Sequence, residues 1–180
     1  MQECQLEYLY EDVVIIKFNR PEKMNAMNKA LLQAWNAHLQ TVINHQKTIK
    51  CLVITGVDKV FSAGADIGPS SDLLTAGKPI DLGGILKEAF YPIIEKLQSI
   101  DCPIIMAVNG PCVGIGCAFA LYGDIIISST ESYFWLNFID IGLTPDGGST
   151  YLLPRLVGRQ AAFKMAVLAE RIPAQEAKRI

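Results

Sequence analysis

The stretch Cys51-Leu52-Val53-Ile54-Thr55-Gly56, followed by Phe61-Ser62-Ala63-Gly64-Ala65-Asp66-Ile67, decides the fold of this chain. It is an apolar run of strand length that ends in a turn of small residues. A second run, Ile104-Ile105-Met106-Ala107-Val108, leads in the same way into Asn109-Gly110-Pro111-Cys112-Val113-Gly114-Ile115-Gly116. Small residues let a backbone N–H approach a ligand without a side chain in the way. Two such turns at one edge of a sheet predict an oxyanion hole, in which two N–H groups hold a carbonyl oxygen that gains negative charge.

Each turn also has simpler interpretations. The glycines serve equally well for tight turns and close helix–strand packing. A dinucleotide site is excluded, since Gly110, Gly114 and Gly116 do not have the G-x-G-x-x-G spacing. Gly114 and Gly116 instead open a helix, which puts the Ile115 N–H at the positive end of a helix dipole. The Ala65 N–H of the first turn is the natural partner for it.

The flanking sequence predicts strands that alternate with helices. Leu6–Phe18 reads as one or two strands around a turn at Glu11-Asp12, and Asp124–Ser128 as a further strand. Asn28 is a predicted N-cap for an amphipathic helix to about Gln46. This alternation favours a single α/β domain over residues 1–180 with a largely parallel sheet.

The segment between the two turns is harder to interpret. Pro69 to Gly84 is rich in Gly, Pro, Ser and Asp and is typical of a mobile surface loop. A helix is expected from about Ile85 to Ser99, with a kink or restart at Pro92. We expect the residues that select the substrate to lie between Pro69 and Ile94.

Composition excludes several classes of function. The 180 residues carry a formal net charge of -2, which favours neither nucleic acid nor an anionic membrane as partner. Five cysteines form no CxxC pair and there are only two histidines, so no metal site is expected. Without a leader pattern or an apolar run of membrane-spanning length, we expect a cytoplasmic protein with buried, reduced cysteines.

These motifs resemble those of the crotonase, or enoyl-CoA hydratase/isomerase, superfamily. The resemblance covers nearly the whole chain and is carried, in family order, by Asn19-Arg20-Pro21, Phe61-Ser62-Ala63-Gly64-Ala65-Asp66, Ala107-Val108-Asn109-Gly110, Gly123-Asp124-Ile125-Ile126 and Pro145-Asp146-Gly147-Gly148-Ser149. It implies a (ββα)n spiral core. In the family a helical segment follows the position of Ile180, covers the acyl pocket and joins subunits. The resemblance therefore implies a chain truncated at its C-terminus, and a homotrimer or dimer of trimers where that segment is present.

The resemblance also implies the site. The N–H groups of Ala65 and Ile115 would hold the thioester oxygen of an acyl-CoA substrate. Coenzyme A belongs to that substrate, so no separate cofactor is expected. The residues implied in its binding are Lys23, Met24, Ala26, Ala63, Gly64, Ala65, Asp66 and Ile67.

Two positions argue against a hydratase. Hydratases of the family use two glutamates, which align here with Ala118 and Phe138. Neither side chain can transfer a proton or orient a water. Simple hydration of an enoyl-CoA is therefore disfavoured.

Asp146 is the remaining candidate acid or base. Its position before a helix also suits an N-cap, and the residues alone leave both roles open. The resemblance to Δ3,Δ2-enoyl-CoA isomerases favours a single acidic proton shuttle, which suffices for a 1,3-shift. We expect a dry environment to raise its pKa, and the apolar residues that would provide it are Phe134, Trp135, Phe138 and Ile139.

Other acids and other activities are weaker candidates. We expect Asp66 and Asp124 to be structural, and Asp140 is a second candidate acid. Nucleophilic dehalogenation is disfavoured, because the histidine that the family uses would have to lie within 67–109, which has none. A ring-epoxide isomerase of phenylacetyl-CoA breakdown and a non-catalytic acyl-CoA-binding scaffold remain as alternatives to the double-bond isomerase.

Overall fold

The computed structural model describes residues 2–68 and 81–180. Strands and helices alternate along the chain as predicted. The strands are β1 (Cys4–Tyr10), β2 (Val13–Phe18), β3 (Cys51–Gly56), β4 (Ile104–Val108), β5 (Cys112–Val113), β6 (Ile125–Ser128), β7 (Tyr133–Trp135) and β8 (Ile172–Pro173). The α-helices are α1 (Lys29–Asn44), α2 (Leu82–Ile85), α3 (Tyr91–Gln98), α4 (Ile115–Ala120), α5 (Ser149–Val157), α6 (Arg159–Leu168) and α7 (Ala174–Arg179). Short 3₁₀ turns cover Pro21–Lys23 and Asn137–Ile141, and a π-helical turn covers Leu86–Phe90.

The strands form two sheets, of which the larger is mostly parallel, as predicted, and the smaller is mixed. The larger sheet has the order β1-β2-β3-β4-β6, in which only the β1–β2 hairpin is antiparallel. The smaller sheet has the order β5-β7-β8. Because β3 and β4 are parallel neighbours, with Leu52 opposite Ile104, their carboxyl ends lie at the same edge. Both small-residue turns therefore leave the larger sheet at one edge.

The hydrophobic core between α1 and the larger sheet supports the edge from which both turns leave. Asn28 caps α1 by accepting a hydrogen bond from the Leu31 N–H at 2.8 Å, as predicted. Trp35 of α1 lies edge-on to both Phe18 and Phe119, with ring centroids 4.8 and 4.7 Å away. All three side chains are fully buried. Aromatic packing thus ties α1 to β2 and to α4, the helix that begins at the second turn.

The helical region before β4 differs from the sequence prediction. The predicted loop from Pro69 to Gly84 falls mostly outside the described residues. Its last part is wrong, because helical structure begins at Leu82 rather than near Ile85. Asp81 caps this turn by accepting from the Gly84 N–H at 2.9 Å. The expected restart at Pro92 is confirmed, since α3 begins after the π-helical turn with Pro92 in its first turn.

The cysteines and the helices test the sequence-based expectations about buried thiols and membrane-spanning segments. All five cysteines are free thiols and four are buried, as expected. Within the described ranges, no helix is long and apolar enough to cross a membrane. The cytoplasmic location and the single-domain organisation remain predictions.

Candidate active site

The first turn presents an unpaired backbone donor at Ala65. On either side of it, the Met27 N–H donates to the Gly64 carbonyl at 2.7 Å and the Asp66 N–H donates to the Met27 carbonyl at 3.1 Å. The Ala65 N–H finds no acceptor within residues 2–68 and 81–180, and Ala65 is exposed. Gly64 has a φ of +92°, a conformation that L side chains rarely adopt.

A buried serine supports this turn from inside. The Ser62 hydroxyl donates to the Asn25 carbonyl at 2.9 Å and accepts from the Gly64 N–H at 3.1 Å. Ser62 is fully buried. The hydroxyl therefore fixes the residue before Ala65 and leaves the Ala65 donor free.

The second turn presents an unpaired donor at Ile115. Gly114 has a φ of +54°, and its N–H donates to the Trp135 carbonyl of β7 at 2.8 Å. Helix α4 starts at the next residue, so the Ile115 N–H is one of the donors that an α-helix leaves unused at its N-terminus. In the described part of the chain it meets no acceptor.

The two turns are in direct contact. Ser62 pairs with Cys112, and the Val113 N–H donates to the Ser62 carbonyl at 2.9 Å. A Cβ atom added to Gly64 would lie 3.6 Å from the Ile115 nitrogen. A Cβ added to Gly116 would come within 2.8 Å of the Ser62 Cβ. The two unpaired N–H groups thus belong to adjoining turns.

Asp146 is not the N-cap of α5. The cap position is Gly148, and no side chain caps this helix. It is the main-chain oxygen of Asp146 that accepts from the Ser149 N–H and hydroxyl, at 3.0 and 2.7 Å. Gly147 and Gly148 both have positive φ, which extends the turn and delays the helix to Ser149. The N-cap interpretation of the sequence is wrong.

The Asp146 side chain is partly buried, and one of its carboxyl oxygens has no partner among the described residues. Its Oδ1 is inaccessible to solvent and has no hydrogen bond within the described residues. Desolvation raises its pKa from 3.8 to about 6, because burial disfavours the charged form. A carboxyl group with such a pKa can both accept and return a proton near neutral pH.

The loop that carries Asp146 lies against α4. A Cβ on Gly147 would be 3.0 Å from the Ala118 Cβ and 3.3 Å from Ile115 Cγ1. The structure thus brings the loop of the candidate acid to the helix that carries the Ile115 N–H. Ala118 and Phe138, the two positions that align with the hydratase glutamates, are both buried.

The residues implied in coenzyme A binding form one unit. The Ala63 N–H donates to the Met24 carbonyl at 2.9 Å, and the Arg20 guanidinium donates to the Ala26 carbonyl at 2.6 Å. Met24 and Ile67 expose more than half of their side-chain surface, and Lys23 is exposed. Both segments named from the sequence therefore lie side by side, and their role in binding remains a proposal.

Of the aromatic and apolar residues expected to dry the site, two face elsewhere. Trp135 lies beneath Arg171, whose guanidinium carbon is 4.0 Å from a ring centroid of the indole. Phe134 lines an apolar cavity of about 710 Å³ on the far side of α4, together with Cys117 and Leu153. Ala65, Ile115 and Asp146 do not line that cavity. Ile139 is half exposed, whereas Phe138 is buried.

Asp124 and Asp66 make the kind of contacts expected of structural acids, whereas Asp140 and the two histidines lie elsewhere. The Asp124 carboxylate accepts from the Ile104 N–H at 2.8 Å, and Asp66 pairs with Arg20. Asp140 is exposed on the 3₁₀ turn. His38 lies beside the Cys4 carbonyl, and His45 is exposed at the end of α1.

Three residues near the site make contacts that no sequence pattern predicted. Asn137 places its Oδ1 3.2 Å from the position that a Cβ on Gly114 would take. A Cβ on Gly148 would overlap the Tyr122 hydroxyl, and burial raises the pKa of that phenol. Arg20 is buried beside Asp66. Each is placed by contacts between distant segments, which local patterns cannot show.

The chain is similar to proteins of one known family along almost its whole length. A family model described as enoyl-CoA hydratase/isomerase matches residues 9–180. The chain is 35% identical to a 1,2-epoxyphenylacetyl-CoA isomerase of Escherichia coli over 98% of its own length and 67% of the relative. It is 36% identical to a crotonyl-CoA hydratase of Syntrophomonas wolfei, covering 94% of this chain and 64% of that protein.

Solved structures agree with this assignment. The structure of an enoyl-CoA hydratase from Bacillus anthracis superposes with a TM-score of 0.86 at 27% identity, over 99% of this chain and 67% of that one. The protein belongs to the enoyl-CoA hydratase/isomerase family, which is the crotonase superfamily. The chain spans about two thirds of the length of these relatives.

Proposed function

We propose that this protein is an acyl-CoA isomerase that moves a double bond from the 3-position to the 2-position of an enoyl-CoA. The observation that carries the proposal is the Asp146 carboxyl group, which is partly buried, has no hydrogen-bond partner at Oδ1 within residues 2–68 and 81–180, and has a pKa raised to about 6. Its loop packs on α4, where Ala118 holds the position of one hydratase glutamate, and Phe138 of the 3₁₀ turn Asn137–Ile141 holds the position of the other.

The reaction needs one base and one oxyanion site. The Asp146 carboxylate takes a proton from C2, and the electron pair of the broken C–H bond moves into the thioester, giving an enolate conjugated with the C3–C4 double bond. The N–H groups of Ala65 and Ile115 hold the enolate oxygen. The protonated Asp146 then returns its proton to C4, the double bond settles between C2 and C3, and the carboxylate is restored.

The match to a 1,2-epoxyphenylacetyl-CoA isomerase favours ring-epoxide isomerisation as a second candidate. That activity would use the same thioester site and differ in the acyl group. A hydratase is the third candidate, since other relatives bear that name. A member of the fold that binds acyl-CoA without converting it is the fourth.

One experiment separates the four candidates. Purified protein is incubated with a 3-enoyl-CoA, a 2-enoyl-CoA and a ring-epoxide CoA ester. The products are separated by reversed-phase chromatography, which distinguishes isomers of equal mass; the conjugated 2-enoyl thioester is recognised by its ultraviolet absorbance and a hydration product by the added mass of water. We expect the 3-enoyl ester to isomerise. Faster hydration of the 2-enoyl ester, or conversion of the ring epoxide alone, would replace the proposal with the corresponding candidate. If no ester is converted, the fourth candidate, a protein that binds acyl-CoA without converting it, replaces the proposal.

The role of Asp146 is tested by a matched pair of variants. Asp146→Asn keeps the shape of the side chain but cannot accept a proton, so isomerisation should fall by about 10²- to 10⁴-fold while the CoA ester still binds. Asp140→Asn removes an exposed carboxylate six positions earlier and should leave turnover unchanged. Undiminished turnover in Asp146→Asn would refute the mechanism.

A further inference from the structure

Arg20 is a buried cation whose guanidinium group reaches Ala26, Asp66 and Glu3. Only 9% of its side chain is exposed. One guanidinium nitrogen, Nη1, donates to Asp66 Oδ2 at 2.8 Å and to the Ala26 carbonyl at 2.6 Å. Its Nε lies 3.5 Å from a Glu3 carboxylate oxygen. A buried guanidinium with these partners is held in one geometry.

These contacts bracket Ala65. Asp66 follows Ala65 directly, and Ala26 precedes Met27, which forms hydrogen bonds to the residues on both sides of Ala65. Because the same nitrogen binds Ala26 and Asp66, the 26–27 segment cannot slide along the 64–66 segment without breaking a charge-assisted hydrogen bond. The direction of the Ala65 N–H is set by these two segments.

The pair is a feature of the site rather than of the surface. The exposed Lys17–Glu7 pair, at 2.6 Å, joins two side chains of the β1–β2 hairpin and touches neither turn. Arg20 and Asp66 are both largely buried and join segments that carry the donor. Their hydrogen bond also holds the pKa of Asp66 below its usual value, so Asp66 keeps its charge at neutral pH.

We propose that Arg20 is a positioning residue that sets the aim of the Ala65 N–H, acting through the carboxylate of Asp66. The inference rests on the proposed function in one respect, the use of Ala65 as an oxyanion donor. Displacing a positioned group by a fraction of an ångström weakens transition-state stabilisation more than ground-state binding. Loss of the pair should therefore lower kcat by about ten- to a hundredfold.

The test measures the donor itself rather than turnover. A saturated acyl-CoA labelled with ¹³C at the thioester carbonyl is bound at saturation, and its C=O stretching frequency is recorded by isotope-edited infrared difference spectroscopy. The wild-type protein should shift the band to lower frequency. Asp66→Asn and Arg20→Gln should lose roughly half of that shift, since one of two donors is misdirected.

Controls keep the result specific. Lys17→Gln, which breaks the exposed pair, should retain the full shift. Circular dichroism and thermal unfolding establish that each variant is folded, and if Arg20→Gln does not fold, the less buried Asp66→Asn decides. An unchanged carbonyl shift in folded Asp66→Asn would overturn the inference, as would the absence of any shift in the wild-type protein.

The outcome is separable from that of the proposed isomerase. Carbonyl polarisation requires a bound thioester and no proton transfer. A wild-type protein that polarises the carbonyl through Arg20 and Asp66 but converts no 3-enoyl-CoA would refute the isomerase and leave the positioning role standing.

Discussion

Gly147 and Ala118 pack so closely that a methyl group added to Gly147 would come within 3.0 Å of the Ala118 Cβ. The loop of the candidate acid is thereby seated on the helix of the second turn, at the position where hydratases carry a glutamate. The alanine is small enough to allow this contact. The same contact places the backbone next to Asp146 within reach of the Ile115 side chain.

A glutamate at position 118 should not create a hydratase. The Ala118 side chain is fully buried against the Gly147 turn, so a longer, charged side chain would displace that turn. We expect Ala118→Glu to lower the free energy of unfolding by about 3–5 kcal/mol and to confer no hydration of a 2-enoyl-CoA. Chemical denaturation and a hydration assay check this. Ala118→Gly, which also disturbs the helix but adds no bulk, is the control.

Turnover should fall on the acid side of neutrality. Asp146 must be deprotonated to take the C2 proton, and burial raises its pKa to about 6. The profile of kcat against pH should therefore rise through an apparent pKa near 6 and lose about tenfold for each pH unit below it. Thermal unfolding over the same pH range excludes loss of the fold as the cause. A flat profile between pH 5 and 8 would contradict the assignment of Asp146 as base.

The pH dependence of thermal stability should also depend on the Asp146 carboxyl group. Turnover needs its charged form, whereas folding favours its protonated form. Its pKa is about 6 in the folded protein and 3.8 in the unfolded reference, so folding favours the protonated form. The stabilisation relative to the charged form is complete below pH 4 and is lost as the pH rises through 6. Asp146→Asn carries no charge to bury. Its Tm relative to the wild type should therefore increase between pH 4 and 6 and stay constant above, as measured by scanning calorimetry.

Asp140→Asn provides the comparison for this stability profile. Asp140 is exposed, so its replacement removes the same charge without relieving burial. The Tm difference of this variant should show no step between pH 4 and 6. An equal step in both variants would mean that net charge, and not the buried position of Asp146, produces it.

Replacing Ser62 should lower kcat, whereas replacing a similarly buried serine elsewhere should affect stability alone. Ser62→Ala removes the hydrogen bonds to Asn25 and Gly64 that shape the first turn. We expect a loss of about 1–3 kcal/mol in unfolding free energy together with a lower kcat. Ser132→Ala breaks the hydrogen bond from the buried Ser132 hydroxyl to the Ser129 carbonyl, at 2.7 Å, and should cost stability without changing kcat at a permissive temperature. A kcat unchanged in both variants would show that the first turn does not contribute to turnover.

Local sequence patterns predicted the strands of the larger sheet, its hairpin and both small-residue turns, but not the three short strands of the smaller sheet. These features depend on the alternation of apolar residues, on chain breakers and on glycine, all of which lie within a few residues of each other. The Asn28 cap is of the same kind, since an Asn three residues before Leu31 can reach its N–H without help from other segments. The family resemblance then supplied the chemical roles that remain proposals.

The sequence misplaced features in which neighbouring segments decide. Gly83 and Gly84 are poor helix formers, yet they lie in a helical turn capped by Asp81. Asp146 has the residue type of an N-cap, but two successive glycines with positive φ move the start of α5 past it. The conformational propensity of a single residue predicts neither the helical turn at Gly83 and Gly84 nor the start of α5 at Ser149.

The contacts of Asn137, Tyr122 and Arg20 could not have been predicted at all from local patterns. Asn137 meets Gly114 only because β7 pairs with β5, and Tyr122 meets Gly148 only because the Asp146 loop folds over α4. Such placements depend on the assembled fold. The same is true of the partnerless Oδ1 of Asp146.

The pairing of Ser62 with Cys112 has a consequence for how the protein acquires its chemistry. Ser62 and Cys112 are far apart in sequence. The Gly114 N–H also donates to the carbonyl of Trp135, which lies further along the chain. The β3–β4 pairing spans a similar sequence separation, with Leu52 opposite Ile104. Contacts of such long range form only when the loops between them have closed. The two unpaired N–H groups should therefore come together only in a chain whose larger sheet is also paired.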